Sequence, residues 1–364
     1  MIRILQCVNN MHRAGLETLL MNYYRSIDRT KVQFDFLMHR SERSDYDDEI
    51  ESMDGRIFRA PRLYPQNYPK YFKFMASFFQ EHPDYQIVHS HIDAMSYLPL
   101  LAAKKAGIPI RIAHSHNTGI DLDFKYPLKQ YFRHRLNSVA THCFSCGQEA
   151  GEFLFRGREF TVIPNAIETE RFQYCGKMRE RKRQELGVSD SVVIGHVGRF
   201  AYAKNHKFLL EIFDQIQKRE TNTVLLLIGT GEKENQMRQY AAQLGLTDKV
   251  RFLGSRSDVQ DLYQAMDVFV LPSLFEGIPV VGIEAQYAGL TCVFSNKVPQ
   301  EVAFTENACF IPLDCGADQW AERVLSCAEN STDRKPVVNP KYDIKQASGL
   351  LNTCYRELQE QLKK

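Results

Sequence analysis

At 364 residues, with 44% hydrophobic and 25% charged residues, the chain exceeds one ordinary domain and is long enough to bury two cores of conventional size. Its net charge of +2 creates no electrostatic demand for nucleic acid, and no apolar run reaches the length of a membrane span. The N-terminus, MIRILQCVNN, enters a strand without the apolar core of a signal peptide, and nine scattered cysteines form no disulfide framework, so a reduced, cytoplasmic protein is expected.

Residues 1 to 168 read as strands alternating with helices. IRILQCV, VQFDFLM, RIFRA, QIVHSH, IRIAHSH, THCFSC and FTVIPN are the strand candidates, with amphipathic segments such as LETLLMNYYRSI and MSYLPLLAAKKAG between them. This alternation predicts a doubly wound α/β sheet, whose ligands sit beyond the carboxyl ends of the strands. The first such loop, Asn9 to Gly15, opens a helix whose first turn holds Glu17. Gly15 there lets a ligand approach the backbone, although a simple turn explains it equally well. The fourth and fifth strands end in His89-Ser-His91 and His114-Ser-His116-Asn117, which places four of the eleven histidines at neighbouring strand ends facing one crevice. No Asp or Cys nearby completes a metal spacing, and hydrogen bonding to sugar hydroxyls or phosphate fits better.

Two stretches of this half, 56–73 (RIFRAPRLYPQNYPKYFK) and 124–135 (FKYPLKQYFRHR), are basic and aromatic without an acidic residue. They suit an anionic membrane surface or a lipid-linked diphosphate; solvated helix faces carrying core aromatics are an equal alternative. His142-Cys143-x-x-Cys146 has no second ligand pair and reads as core packing rather than zinc or redox chemistry. The pattern breaks near Ile163-Pro164-Asn165-Ala166, and the charged run Arg179 to Glu185 follows before a new strand at Val192, marking a domain boundary.

The second half repeats the alternation with VVIGHVG, TVLLLIG, VRFLG, DVFVLPS, TCVFS and ACFIP. Its first strand leads into a loop carrying Gly198, Arg199 and Lys204, two cations five residues apart that can fix a departing diphosphate without a metal. Gly229 and Gly231 form a glycine turn after the next strand that can contact a nucleotide. The loop Gly254-Ser-Arg256-Ser-Asp258 ends in an expected helix cap, and its backbone can read a base edge. In LPSLFEGIPVVGIEAQYAGL, Glu276 falls on a loop and Glu284 inside a mostly apolar helix with Pro279 near its first position and Gly289 as its stop. A glutamate in such a helix needs a polar partner. The helix start after Gly277, with Ile278 and Pro279, offers an anion site. From Pro279 to Glu284 the helix rises roughly 7–8 Å, about the separation of two polyol groups joined by a diphosphate, the shape of a nucleotide sugar. The tail from Asp343 to Lys364 reads as a packing helix with Ala347, Leu350, Leu351, Cys354, Tyr355 and Leu358 inward.

In this order, GHVGRFAYAKN, LLLIGTGE, VRFLGSRSDV and LPSLFEGIPVVGIEAQYAGL resemble the donor-domain motifs of retaining glycosyltransferases of family 4, and NNMHRAGLET with IAHSHNT resembles the bacterial capsular and exopolysaccharide branch. The resemblance spans nearly the whole chain. It implies two Rossmann-like domains facing a central cleft, the GT-B fold: 1–168 on the acceptor side, 169–342 binding the nucleotide-sugar donor, and 343–364 as a helix crossing back. It further implies that Arg199 and Lys204 bind the diphosphate, Glu284 the ribose and Glu276 the donor sugar. His91 or His116 would contact the reacting sugar, and Gly15 would belong to a loop that commonly has a second glycine where this chain has Ala14. The expected activity is metal-independent, cofactor-free transfer of a hexose or N-acetylhexosamine from a UDP-linked donor to a lipid-linked or saccharide acceptor, on the inner face of the membrane. A nucleotide-sugar epimerase and a non-catalytic nucleotide-sugar-binding scaffold are the alternatives. A sugar phosphorylase has no signal for its lysine-bound cofactor.

Overall fold

The structure is a computed structural model describing residues 1–329 and 334–362. The chain forms two compact units, one of Met1–Ala166 with Ile344–Lys364 and one of Ile167–Asp343.

In the first unit the strands are β1 (Ile2–Val8), β2 (Val32–Met38), β3 (Ile57–Arg59), β4 (Ile87–Ser90), β5 (Ile110–Ser115), β6 (His142–Ser145) and β7 (Thr161–Val162). They form a parallel sheet in the order β3-β2-β1-β4-β5-β6-β7. Helices cover both faces of such a sheet, so its central strands are apolar almost throughout, as IRILQCV and VQFDFLM are. The order reverses between β1 and β4, where Gln6 lies opposite His89. Polar residues within these strands are paired: Arg3 holds the buried Asp35 through two bonds of 2.6 Å, and the Tyr85 hydroxyl donates to the same carboxylate. The last helix, Ile344–Gln361, belongs to this unit and buries Ala347, Leu351, Tyr355 and Leu358. Leu350, expected to face inward, is 43% exposed, because the i, i+4, i+8, i+11 stripe from Ala347 turns it to the side.

The second unit contains β8 (Val192–Val197), β9 (Thr223–Ile228), β10 (Val250–Gly254), β11 (Val268–Leu271), β12 (Thr291–Ser295) and β13 (Ala308–Ile311). They are ordered β10-β9-β8-β11-β12-β13, again with the reversal beside the first strand. The charged run Arg179 to Glu185 is no linker: it lies in helix Gly176–Leu186, where Lys182 and Arg183 are buried. Arg183 and Arg179 both pair with Asp267, whose carboxylate also accepts from the Val193 amide. On the far side of the sheet, Trp320 from helix Gly316–Ala328 packs edge-on against Phe208 of helix His206–Arg219.

Candidate active site

In the second unit the loop after β8 and the loop after β11, the two strands that flank the reversal, meet. Leu274 N–H donates to the Ala203 carbonyl at 2.7 Å, and the Asn205 amide donates to the Pro272 carbonyl at 3.2 Å. Asn205 adopts the left-handed conformation (φ 55°), which turns the chain into helix His206–Arg219 and leaves Lys204 on the loop side. Its ammonium reaches the buried Glu276 carboxylate at 2.6 Å, and the Ser273 hydroxyl donates to the same oxygen at 2.7 Å. Lys204 and Glu276 side chains retain 18% and 9% of their exposure, so the pair is desolvated and short. Arg199 diverges from Lys204: it is 62% exposed and reaches Glu232 at 3.2 Å.

The glycines of this region are explained first by the chain itself. A Cβ on Gly229, at φ +133°, would stand 2.2 Å from the Gly198 carbonyl, and one on Gly231 would stand 2.6 Å from the Phe200 carbonyl. The two loops therefore press together backbone to backbone, joined by Gly198 N–H to Ile228 and Phe200 N–H to Thr230. Gly198 itself is confined by His196 Nε2, 3.0 Å from where its Cβ would be. The Arg256 guanidinium forks onto Asp258 with two bonds of 2.8 Å, and Lys182 adds a third contact to that carboxylate. Asp258 occupies the expected N-cap position of helix Val259–Ala265 but makes no capping bond, since both oxygens are committed to cations. Those cations hold it well below the usual carboxylate range.

Helix Val280–Tyr287 begins one residue after Pro279, which is its N-cap, and ends before Gly289 at φ +69°. Gly277, Ile278 and Pro279 are buried at its entry. Within it the buried Glu284 finds its partner in the Tyr263 hydroxyl, which donates at 2.9 Å. Burial raises the Glu284 carboxyl to about 7, against the lowering effects of the Tyr263 hydrogen bond and the charge of Arg171. Near neutral pH this group is therefore poised between its two protonation states.

In the first unit the four histidines stack at the carboxyl ends of the interior strands β4 and β5, where all four line one small cavity together with Tyr23, Leu351 and Tyr355. His89, His91 and His114 are 1%, 3% and 4% exposed, and His116 alone among the four is partly exposed. Spacing of two along each strand puts all four on one sheet face, with His89 and His114 rings parallel to within 3° and His114 and His116 centroids 4.1 Å apart. Burial pushes His89, His91 and His114 well below the ordinary histidine range, reinforced by their neighbours, and burial lowers His116 to about 3. The stack is neutral at pH 7. His89 Nδ1 lies 2.6 Å from the Tyr355 hydroxyl and its Nε2 3.1 Å from His114 Nδ1. His91 Nε2 lies 2.8 Å from Gln6 Oε1 and its Nδ1 3.0 Å from His116 Nε2. His89, His91 and His114 can bring one nitrogen each within 4.8 Å of one another, the geometry of a metal cluster, but both nitrogens of His89 and of His91 are already hydrogen-bonded and would have to exchange those partners for an ion. Gly15 starts helix Gly15–Ser26, and a Cβ there would meet no heavy atom within 4 Å, so packing does not demand glycine.

Sequence reasoning had no means of pairing Tyr263 with Glu284 or Ser273 with Glu276, since side-chain partners across loops leave no local signal. Gln6 did leave one, as an amide in the middle of a strand whose other polar residue, Arg3, lies near its start.

Two family models divide the chain: Glycosyltransferase Family 4 over residues 13–171 and Glycosyl transferases group 1 over residues 178–342. The chain is 34% identical over 368 residues to a putative glycosyltransferase EpsF of Bacillus subtilis (strain 168), covering 97% of this chain and 96% of that relative. It is 30% identical over 225 residues, 58% of each chain, to the UDP-Gal:alpha-D-GlcNAc-diphosphoundecaprenol alpha-1,3-galactosyltransferase of Escherichia coli. The crystal structure of Anabaena HepE in complex with UDP-glucose superposes over 100% of both chains with a TM-score of 0.77 at 18% identity, a likeness of fold. With a relative of that identity matched end to end, and two parallel-sheet units of the GT-B kind, the chain belongs to the family 4 glycosyltransferases.

Proposed function

We propose that this glycosyltransferase moves a hexose or N-acetylhexosamine from a UDP-linked donor to a hydroxyl of a lipid-linked or oligosaccharide acceptor in surface polysaccharide assembly, with retention of anomeric configuration and without a metal. The observation that carries the reading is the Lys204–Glu276 pair, a desolvated ammonium and carboxylate 2.6 Å apart where the loops of β8 and β11 meet. A donor diphosphate arriving there competes with Glu276 for the ammonium. Arg199 is held by an exposed pair of little strength and exchanges Glu232 for phosphate at small cost. The bond from the anomeric carbon to the diphosphate breaks with its electron pair passing to phosphate oxygen, and the acceptor oxygen bonds the same face of that carbon. Its proton goes to the departing diphosphate. Arg199 and Lys204 stabilise the charge that develops on the leaving group.

Glu276, released from Lys204, is placed to accept a hydroxyl of the donor sugar, and Glu284 to accept the ribose. Gly15, Gly198, Gly229, Gly231, Arg256, Gly277, Ile278 and Pro279 are assigned to the donor's nucleotide and phosphates. His116 is assigned to the reacting sugar in preference to His91, because partial exposure favours His116 and burial confines His91. No cofactor is assigned. The name of the Escherichia coli relative, a galactosyltransferase acting on a diphosphoundecaprenol-linked sugar, supports the UDP donor and the lipid-linked acceptor.

Among the described residues no helix is long and apolar enough to cross a membrane. Peripheral contact with the inner leaflet is supported by Leu122, Phe124 and Tyr131, which are 66%, 79% and 55% exposed beside the basic helix Tyr126–Arg135. Lys125 lies 4.0 Å over the Tyr64 ring, so the stretches 56–73 and 124–135 form one patch in a cytoplasmic enzyme.

The test is incubation with UDP-sugars and a sugar-diphosphate-lipid acceptor, with and without EDTA, followed by mass and anomeric NMR analysis. Transfer with the donor's anomeric configuration, unaffected by EDTA, is expected. Interconversion of UDP-sugars in the absence of acceptor would establish an epimerase instead, and binding without turnover on any acceptor a scaffold.

A further inference from the structure

We infer that Gln6, buried in β1, is a positioning residue whose amide orientation sets which ring nitrogen of His116 carries the proton. The inference rests on His116 meeting the reacting sugar and adds the residues that determine what His116 presents there.

The chain of contacts permits a single assignment of protons once the amide is oriented. Gln6 Oε1 accepts only, so His91 Nε2, 2.8 Å away, carries a hydrogen. His91 is neutral, because burial first and its histidine neighbours second keep it from protonating. Its Nδ1 is therefore a lone pair, and the contact of 3.0 Å requires His116 Nε2 to donate. His116 is then the Nε2–H tautomer and presents Nδ1 as an acceptor. Its backbone is fixed as well: Asp93 accepts from the His116 amide N–H and from the Asn117 side chain, each at 2.8 Å. In the other direction Gln6 Nε2 donates to the Tyr355 hydroxyl at 3.2 Å. That hydroxyl has one hydrogen, which goes to His89 Nδ1 at 2.6 Å, and His89 Nε2 donates to His114 Nδ1 at 3.1 Å. Donation thus runs one way through six residues, from His116 through His91, Gln6, Tyr355 and His89 to His114.

Gln6 is the only link in this chain whose two ends differ chemically without any proton moving. Turning its amide by half a rotation would reverse every donor, leaving His116 with a hydrogen on Nδ1 instead. In the turned state the Tyr355 hydroxyl would donate to Gln6 and accept from His89, so the direction of the whole chain follows the Gln6 amide. Partners of this kind orient a functional imidazole as the outer contacts of a metal-bound histidine do.

The direct test is two-bond ¹⁵N–¹H correlation NMR of the full chain labelled at histidine, with the His116 signals assigned by their loss in His116→Asn. Hydrogen on Nε2 and a lone pair on Nδ1 are expected; hydrogen on Nδ1 in the unaltered protein overturns the assignment. This reading needs no Gln6 variant and stands if one fails to fold. Gln6→Glu keeps an acceptor facing His91 and should preserve the His116 tautomer and turnover within about threefold. Gln6→Met should mix the two tautomers and lower kcat about tenfold with little change in the KM for donor. Gln6→Met folded to a normal melt with an unmixed tautomer would overturn the proposal. Mixed tautomers with unchanged kcat would uphold the positioning and overturn instead the placement of His116 at the sugar.

Discussion

The two units carry their chemistry at the same topological place and in opposite electrostatic states. Gln6 and His91 lie on or just after the two strands flanking the reversal in the first sheet, and Lys204 and Glu276 follow the corresponding strands of the second. In the first unit Gln6 and the histidines are neutral and bonded to each other, whereas in the second Arg199, Lys204 and Glu276 are held in ion pairs. The difference follows from what each side would meet. A neutral hydrogen-bond network offers direction without net charge, suited to hydroxyls. Paired charges offer exchange, suited to a diphosphate that arrives charged and leaves more so.

The largest break in that comparison comes from the charged side. Lys204→Ala should lower kcat by about 10²–10³-fold while leaving the His116 tautomer as it was, because the ammonium acts on leaving-group charge alone. UDP release under saturating donor measures the first and NMR the second; normal release would sink the role of Lys204. Next in size is stability in acid. His39, His89, His91, His114 and His116 of the first unit all have lowered proton affinity, with His39 at about 4 and His116 at about 3. A lowered folded value means the unfolded chain binds the proton first, so the stabilisation is complete above about pH 6.5 and is lost as pH falls toward 4. Protonation of these histidines is resisted in the folded chain and free in the unfolded one, so the first unit should lose stability as the medium turns acid, followed by hydrogen exchange at its strand amides.

In the second unit Glu284 works in the reverse sense. Its folded value of about 7 lies above its unfolded one, so its contribution is full below about pH 4.5 and fades as pH rises through 7. In the ribose-binding role proposed for Glu284 the ionised form is the acceptor, and UDP affinity should therefore climb with pH up to about 7 and level off beyond it. Glu284→Gln should flatten that rise in titration calorimetry; a persisting slope would place the titration elsewhere. The smallest effect is at the surface: Leu122→Asp with Phe124→Asp should cut binding to anionic vesicles several-fold in sedimentation assays and leave turnover on a water-soluble acceptor unchanged. Unaltered vesicle binding would remove that patch from membrane contact.

Both parallel sheets were legible from the alternation of short apolar runs with amphipathic helices, because burial on both faces makes the central strands mostly apolar. The four motifs in register pointed to the family. What the sequence concealed was the company each side chain keeps. Glu284 declared its need for a partner by standing in an apolar helix, yet Tyr263 lies on a different helix with nothing in its spacing to announce it. Asp258 has the residue type and position of a cap, but two cations claim it first. Leu350 was read as inward because it is leucine at a helical interval, where the true stripe runs one position later. The histidines signalled function by repetition alone; that the cavity they line is walled by Leu351 and Tyr355 of the last helix had no signal in their own strands.

That last helix carries a consequence for synthesis. The first unit is interrupted in sequence by the whole of the second, and its hydrogen-bonded chain lacks a central link until Tyr355 is made. While the ribosome is still at work, His89 and Gln6 have no hydroxyl between them. The second unit is continuous and can finish folding first, reversing the usual order in which nascent domains mature. The N-terminal half, whose seven strands all precede residue 167, therefore receives this hydroxyl only after the whole second unit has been made.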